Sequence, residues 1–240
     1  MQITEQKKLY TISPAIERYR AGSNHAWLGE GLRRLLLFPA LRLFAPMKVV
    51  GLENLQSNGP CIFAANHTSH LDAPLLLAAL PPRLRLRIRV AAAADYFFTR
   101  RWKAALVTTA LNAFAFERRG PGCLESLALS EQLVRAGHSL LIFPEGTRAR
   151  DGQLQPFKWG VGKLALVTGA QVVPVWIDGA RAVLPKGARW PRRRPVAVHF
   201  GAPLRFADHR SPEEVAAEVE RRVRTIAEEP EPCHPERSEG

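Results

Sequence analysis

Cysteine is scarce in this chain. Cys61, Cys123 and Cys233 are odd in number and share no C-x-x-C spacing, so neither a disulfide framework nor a structural zinc site is supported. A reducing, cytosol-facing setting fits that usage. Long apolar runs are missing as well. The longest apolar candidates, 104–116 and 164–177, are 13 and 14 residues without charge, short of the roughly 18 to 20 that cross a bilayer. The opening MQITEQKKLYTIS lacks the basic start and continuous apolar stretch of a secretory signal. A spanning protein is excluded on these grounds, whereas one lying on a membrane is not. No internal repeat of about 20 to 50 residues is visible. Lysine is rare too, with 7 Lys to 27 Arg among the 34 basic residues.

What is present is a chain of 240 residues, 46% apolar, enough for one large domain or two small ones with a real core. Its formal charge of +12 points to partners that carry negative charge. Arginine's planar fork suits bidentate phosphate contacts, although a GC-rich genome produces the same bias. After Ala227 the composition turns to EEPEPCHPERSEG, which cannot bury enough surface to offset ordering. Residues 227–240 are expected to be a disordered acidic tail of net charge −4, which leaves +16 on residues 1–226.

Ser13-Pro14 opens a short capped helix. Within 27–47, Leu28, Leu32, Leu35 and Leu36 fall on one stripe while Arg33, Arg34 and Arg42 stay off it. Pro39 should kink or end that helix. The segment reads either as a surface helix packing its leucines on the core or as an interfacial helix with leucines in the acyl layer. From Gly59 on, apolar strands alternate with helices. Strands are expected at 61–65, 87–93, 113–117, 139–143, 172–177 and 196–200, and helices at 69–80, 121–136 and 158–168. Such alternation predicts an α/β fold: a single domain over 51–226 with a mostly parallel mixed sheet flanked by helices, preceded by an amphipathic helical segment over 1–50. Pro174 within its strand suggests an edge or a bulge. Ser211-Pro212-Glu213-Glu214 is a capping box that starts an amphipathic helix running to about 226. Leu84, Leu86 and Ile88 alternate with Arg83, Arg85, Arg87 and Arg89, which reads as a strand with one apolar and one basic face.

The densest polar cluster, Asn66-His67-Thr68-Ser69-His70-Leu71-Asp72, follows the strand CIFAA and precedes APLLLAAL. On a continuous helix His67 and Asp72 would be about 140° apart. They meet only if His67 sits in the loop and Asp72 turns back from the first helical turn. The carboxylate then fixes the imidazole tautomer, and the other ring nitrogen is free to take a proton from a hydroxyl. Helix capping by Thr68 or Ser69, with Asp72 at a helix N-terminus, explains the same residues without chemistry. A second cluster, Phe143-Pro144-Glu145-Gly146-Thr147-Arg148, stands past another strand end, where the loops of an α/β sheet gather. Gly146 lets backbone N–H groups approach an anion and Arg148 can clamp phosphate. Glu145 fits beside a phosphate only by orienting an Arg or accepting from a ligand hydroxyl, and a plain chain reversal is the alternative. Phe116-Glu117-Arg118-Arg119-Gly120 adds guanidinium groups to the same edge, or is a solvated turn. His67, His70 and Asp72 lack a further ligand cluster, since His25, His138, His199 and His209 are isolated, so no metal is expected.

The H-x-x-x-x-D spacing of His67 and Asp72 and the FPEGTR block resemble the hallmarks of the glycerolipid acyltransferases, most closely the 1-acyl-sn-glycerol-3-phosphate acyltransferases. Phe116-Glu117-Arg118, Pro156-Phe157-Lys158 with Gly160, and Val173-Pro174-Val175 resemble further blocks of that family, in the same order. The resemblance implies an acyltransferase in which His67 is the general base on the free hydroxyl of a lysophospholipid and Asp72 orients it. Arg118, Glu145, Gly146, Thr147 and Arg148 would form the phosphate and glycerol site. The acyl donor would be acyl-CoA or acyl carrier protein, as co-substrate, with no cofactor. Thiolate leaves readily, so no covalent acyl-enzyme is needed, in agreement with the absence of a G-x-S-x-G elbow. A backbone N–H near Asn66 or Gly146 would stabilise the oxyanion. The expected location is peripheral, on the cytoplasmic face of an anionic membrane, with no nucleic acid as partner. Another lyso-lipid acceptor, or a basic membrane-binding module without catalysis, stands as the alternative.

Overall fold

A computed structural model describes residues 26–55, 59–149, 151–185, 188, 190–207 and 209–228. The helix expected near Ser13, Cys233 and nearly all of the acidic tail lie outside them. Strand β2, Cys61–Ala65, is buried at every position. A strand with apolar side chains on both sides needs cover on both faces, and β2 accordingly sits at the middle of a seven-stranded sheet of order β1-β7-β6-β2-β5-β3-β4. The other strands are β1 Met47–Val50, β3 Ile88–Ala93, β4 Ala113–Phe116, β5 Ser139–Ile142, β6 Gln171–Asp178 and β7 Val196–Phe200. All neighbours pair parallel except β6 with β7. The mostly parallel α/β sheet is as expected.

Helices cover the two faces separately. On one face lie α1 Ala26–Leu32, α2 Phe38–Phe44, α3 Asp72–Ala79 and α6 Arg101–Leu111, with the short α4 Pro82–Arg85 and α5 Ala94–Phe97 at its connections. On the other lie α7 Gly122–Arg135, α8 Gly160–Thr168 and α10 Pro212–Glu228, while α9 Ala180–Val183 follows β6. The start of α10 is the reciprocal cap read from the sequence. Ser211 N–H donates to Glu214 Oε2 at 2.7 Å and Glu214 N–H to Ser211 Oγ at 3.2 Å. Pro174 sits in an interior strand, one residue before the β6–β7 ladder begins at Val175, and its carbonyl accepts Gly201 N–H. The chain beyond β7 pairs with β6 again at Val172 and Leu204, so residues 200–204 bulge by one residue against 172–175, and Pro174 lies at that bulge, one of the two places the sequence suggested.

Two open alternatives are narrowed, one expectation needs correction, and two elements were missed. The helix does not end at Pro39: a π-helical turn, Arg33–Leu37, links α1 to α2, and Phe38 N–H donates to Arg33 O. Widening the turn ahead of a proline relieves the clash its ring would make with the preceding turn. The leucine stripe does not pack inward, because Leu28, Leu35 and Leu36 are exposed while Arg33 is fully buried. Residues 83–87 form no two-faced strand. Pro81-Pro82 starts the short α4 instead, and Arg85 turns inward onto Glu30. Finally, two elements were not foreseen. Met47–Val50 is an edge strand on β7, and residues 101–111 form an 11-residue helix where only an apolar run was noted.

Candidate active site

Strands β2 and β5 are parallel neighbours, with Ala64 opposite Ile142, so the loops that leave their C-terminal ends lie side by side. The first carries His67. Its Nδ1 is 2.8 Å from Asp72 Oδ2, and the same oxygen accepts the backbone N–H groups of Thr68 at 2.7 Å and Ser69 at 2.8 Å. Asp72 is the first residue of α3 and fully buried. Its carboxylate turns back over the loop as the spacing required. The contact makes Nδ1 the protonated nitrogen and leaves Nε2 as the basic one.

The second loop braces the first. The Phe143 ring stacks on the His67 ring at 4.1 Å and 20°. Glu145 Oε1 accepts His67 N–H at 2.7 Å and Oε2 accepts Gln155 N–H at 3.2 Å. Ala149 N–H donates to His67 O at 2.8 Å. Glu145 is 3% exposed, and burial pushes its carboxyl up to about 7, against the pull of the two N–H donors. Each oxygen thus accepts one backbone N–H, and the geometry gives Glu145 the task of holding the His67 loop.

Gly146 has φ +70° inside this turn, and a Cβ there would come within 2.7 Å of Lys158 Nζ. The left-handed backbone is what requires glycine here, since the end of the flexible lysine could shift to admit a Cβ. Gly146 N–H donates to Phe143 O, so it closes the turn and is not a free oxyanion donor. The Asn66 side chain exchanges two hydrogen bonds with the backbone of Ile177 in β6, which ties the start of the His67 loop to the neighbouring strand. Arg118, past the end of β4, donates from Nη1 to Gly146 O at 2.8 Å and from Nη2 to both oxygens of Asp95, at 2.7 and 2.5 Å.

Two cavities open at His67. The first, about 160 Å³, passes Gly146 and Lys158 and runs between the sheet and α7 and α8, along Phe116, Leu127 and Leu164. The second, about 240 Å³, has Arg148, Thr147 and His70 at its mouth and runs on the opposite face toward Val107 and Leu111. Ala91 and Ala93 of β3 border both, whereas Val90 and Ala92 border only the second. His70 stacks on Tyr96 at 5.3 Å, and burial holds its imidazole down at about 4, with the Arg148 charge adding to the effect. Each expected site residue therefore lies around His67, with Glu145 beneath it. Asp95 escaped the motif reading, and Lys158 was read as part of a block without a place at the site. Both stand where strand or loop ends reach the same edge of the sheet, which is the signal that would have found them. Among the described residues no cluster of three or more His, Cys, Asp or Glu side chains is placed to hold a metal ion.

A family model described as Acyltransferase matches residues 46–178, more than half of the chain. The chain belongs to the acyltransferase family. Within it, this acyltransferase resembles the 1-acyl-sn-glycerol-3-phosphate type among the glycerolipid enzymes. It is 30% identical over 176 residues to the chloroplastic 1-acyl-sn-glycerol-3-phosphate acyltransferase of Brassica napus, a stretch covering 72% of this chain and 47% of that protein. It is 36% identical over 128 residues to a lyso-ornithine lipid O-acyltransferase of Pseudomonas aeruginosa, 52% of this chain and 46% of that one. The chain spans about half the length of the curated relatives it matches. The crystal structure of the 1-acyl-sn-glycerophosphate acyltransferase PlsC from Thermotoga maritima superposes with a TM-score of 0.65 at 25% identity, covering 88% of this chain and 79% of that one.

Proposed function

We propose that this chain moves a fatty acyl group from a thioester, acyl-CoA or acyl carrier protein, to the free hydroxyl of a lysophospholipid, with 1-acylglycerol-3-phosphate as acceptor and phosphatidate as product. The observation that carries this reading is the 2.8 Å contact of His67 Nδ1 with Asp72 Oδ2 where two cavities meet, the first with mainly apolar walls and the second with polar and apolar groups in its lining. With Nδ1–H held by the carboxylate, Nε2 accepts the hydroxyl proton as the oxygen attacks the thioester carbon. Asp72 stabilises the imidazolium that results. Collapse of the tetrahedral intermediate breaks the C–S bond, and the imidazolium returns its proton to the departing thiolate. Arg118, Lys158 and Arg148 surround the mouth and supply charge for the acceptor phosphate.

We further propose a peripheral position on the cytoplasmic face of an anionic membrane; the exposed Leu28, Leu35, Leu36 and Leu43 on α1, the π turn and α2 support the membrane contact. No helix among the described residues is long and apolar enough to cross one. One observation favours a second acceptor class. Asp95 beside Arg118 presents both signs of charge, which suits a headgroup bearing a carboxylate and an ammonium, such as an ornithine lipid.

The test is thiol release from acyl-CoA with an acceptor panel that contains lysophosphatidate and a zwitterionic lyso-lipid. Wild-type turnover should fall by three or more orders of magnitude in His67→Ala while vesicle binding persists. Equal rates in the two proteins would remove His67 as base, and no turnover in wild type would leave a binding module.

A further inference from the structure

Helix α6 has two sides with different surroundings. Its inner side, at Val107 and Leu111, walls the second cavity behind His67. Its outer side leaves Trp102 61% and Leu106 54% exposed, one turn apart. Tyr96, on α5, is 47% exposed, yet it also borders that cavity and stacks on His70. Lys103 Nζ lies 5.4 Å from the Tyr96 ring and 5.8 Å from the Trp102 ring, so one cation sits between two exposed aromatics. Arg100 and Arg101 are exposed beside them, and residues 96–112 contain no acidic side chain.

Each part of this face argues for the same occupant. Large apolar side chains kept in water at helical spacing mark a contact surface. Aromatic rings at the edge of such a face, with arginine and lysine around them, match the boundary between acyl chains and headgroups. Nucleic acid would satisfy the cations and leave Trp102 and Leu106 in water, while an apolar protein groove would satisfy the rings and strand three charges. An anionic bilayer satisfies both. The surface is also continuous with the cavity, because one helix turns its outer side to solvent and its inner side to the route toward His67.

We propose that the Tyr96, Trp102 and Leu106 face docks on an anionic bilayer, and that the second cavity behind it is the entrance for the membrane-resident acceptor. The proposal rests on the acyl-transfer reading for the entrance, though not for the docking. It assigns the two cavities to two sources of substrate. The acceptor enters from the bilayer on the α6 face. The first cavity, on the opposite face of the sheet, is left for the chain of a donor arriving from solution. The exposed leucines of α1, the π turn and α2 lie on other helices, of which α1 packs on α6.

The test uses the full chain and vesicles of phosphatidylcholine with and without phosphatidylglycerol. Trp102→Ser/Leu106→Ser should weaken sedimentation with the mixed vesicles about tenfold, since two half-exposed apolar side chains no longer enter the acyl layer. Turnover of an acceptor embedded in those vesicles should fall in step, while turnover of a water-soluble short-chain lysophosphatidate stays within about twofold of wild type. Arg100→Gln/Arg101→Gln should lose most of the preference for anionic vesicles. Leu124→Ser, an exposed leucine on α7 across the sheet, is the control and should change none of these. Unaltered vesicle binding in the Trp102/Leu106 variant overturns the docking proposal. Equal losses on the embedded and the soluble acceptor overturn the entrance. A wild type that acylates neither acceptor sinks the acyl-transfer reading, and sedimentation then still decides the docking.

Discussion

The Glu145 carboxylate accepts the backbone N–H of His67 at 2.7 Å, so the second motif holds the first in place. This predicts a split between catalysis and binding. Glu145→Gln keeps one acceptor oxygen and loses the other, which loosens the loop that aims the imidazole. Steady-state kinetics should show kcat down by about ten- to a hundredfold, with the acceptor KM within about threefold. A change confined to KM would return Glu145 to the ligand site.

The same residue predicts a pH dependence of stability. Burial raises its carboxyl from 4.5 to about 7, so the folded state holds the proton over a range where the unfolded state has released it. The linked stability is complete below about 4.5 and lost as pH rises through about 7, a full swing on the order of 3 kcal/mol. His70 acts in the opposite sense. Its value falls from 6.5 to about 4, so its contribution is present above 6.5 and lost as pH falls through about 4. Urea unfolding of wild type and Glu145→Gln at pH 5 and pH 8, compared as a difference of differences, cancels His70. The variant should lack the Glu145 swing, and an identical swing in both proteins would remove this carboxyl as its source.

The sheet was legible because parallel strands buried on both faces read as unbroken apolar runs, and CIFAA and VAVHF matched to the residue. The His67 and Asp72 geometry was legible because a five-residue spacing allows only one way to meet. Other features were hidden for physical reasons. Arg83 to Arg89 alternate with leucine and isoleucine as a strand would, yet Pro81-Pro82 sets helical φ, and the buried Glu30 draws Arg85 inward from a partner 55 residues away. Periodicity carries no information about such a distant counter-ion. Glu145 looked like a ligand because a carboxylate in a phosphate loop has no local partner, and its partner, His67 N–H, is 78 residues distant in sequence.

Asp95 and Arg118 predict a specificity effect. The exposed Asp95 carboxylate occupies Arg118 Nη2, so an incoming phosphate must compete with it. Asp95→Asn removes the competing charge, while Gly146 O still orients the guanidinium. The acceptor KM for a phosphorylated lyso-lipid should fall about three- to fivefold with kcat within about twofold, a modest effect because the pair is solvent-screened. A zwitterionic acceptor should respond in the opposite direction, with KM raised. No change for either class would show that Arg118 binds no headgroup.

Glu30 predicts how firmly α1 is fastened. Its carboxylate takes Arg85 on both oxygens, Arg33 on Oε2 and Arg34 on Oε1, while Arg33 Nη1 caps the carbonyls of Thr109 and Ala110 at the end of α6. Burial alone would raise its carboxyl, but the hydrogen bonds from the three arginines outweigh it and hold it at about 2. The linked stability is present above 4.5 and lost as pH falls through about 2. Glu30→Ala strands the buried Arg33 and Arg85 and should cost about 3–5 kcal/mol in chemical denaturation. Arg34→Ala, whose side chain is 55% exposed, should cost no more than about 1 kcal/mol. Similar losses in the two variants would show that burial does not decide the strength of this fastening.

The first cavity predicts a chain-length effect that follows from its walls. Cys123, near the start of α7, borders it and is only partly buried, so a larger side chain there can be accommodated at the helix while projecting into the space beyond Phe116. A cavity of about 160 Å³ has little room to spare. Cys123→Phe should therefore exclude the terminal carbons of a long donor chain and leave shorter donors unaffected. Losing two buried methylene groups costs roughly 1.6 kcal/mol, or about fifteenfold in kcat/KM. Measured over a series of acyl-CoA thioesters, the optimum should move to shorter chains, with the rate on the shortest donors within about twofold of wild type. If long and short donors lost rate alike, the donor chain would have to lie elsewhere, and the assignment of the two cavities to donor and acceptor would fail with it.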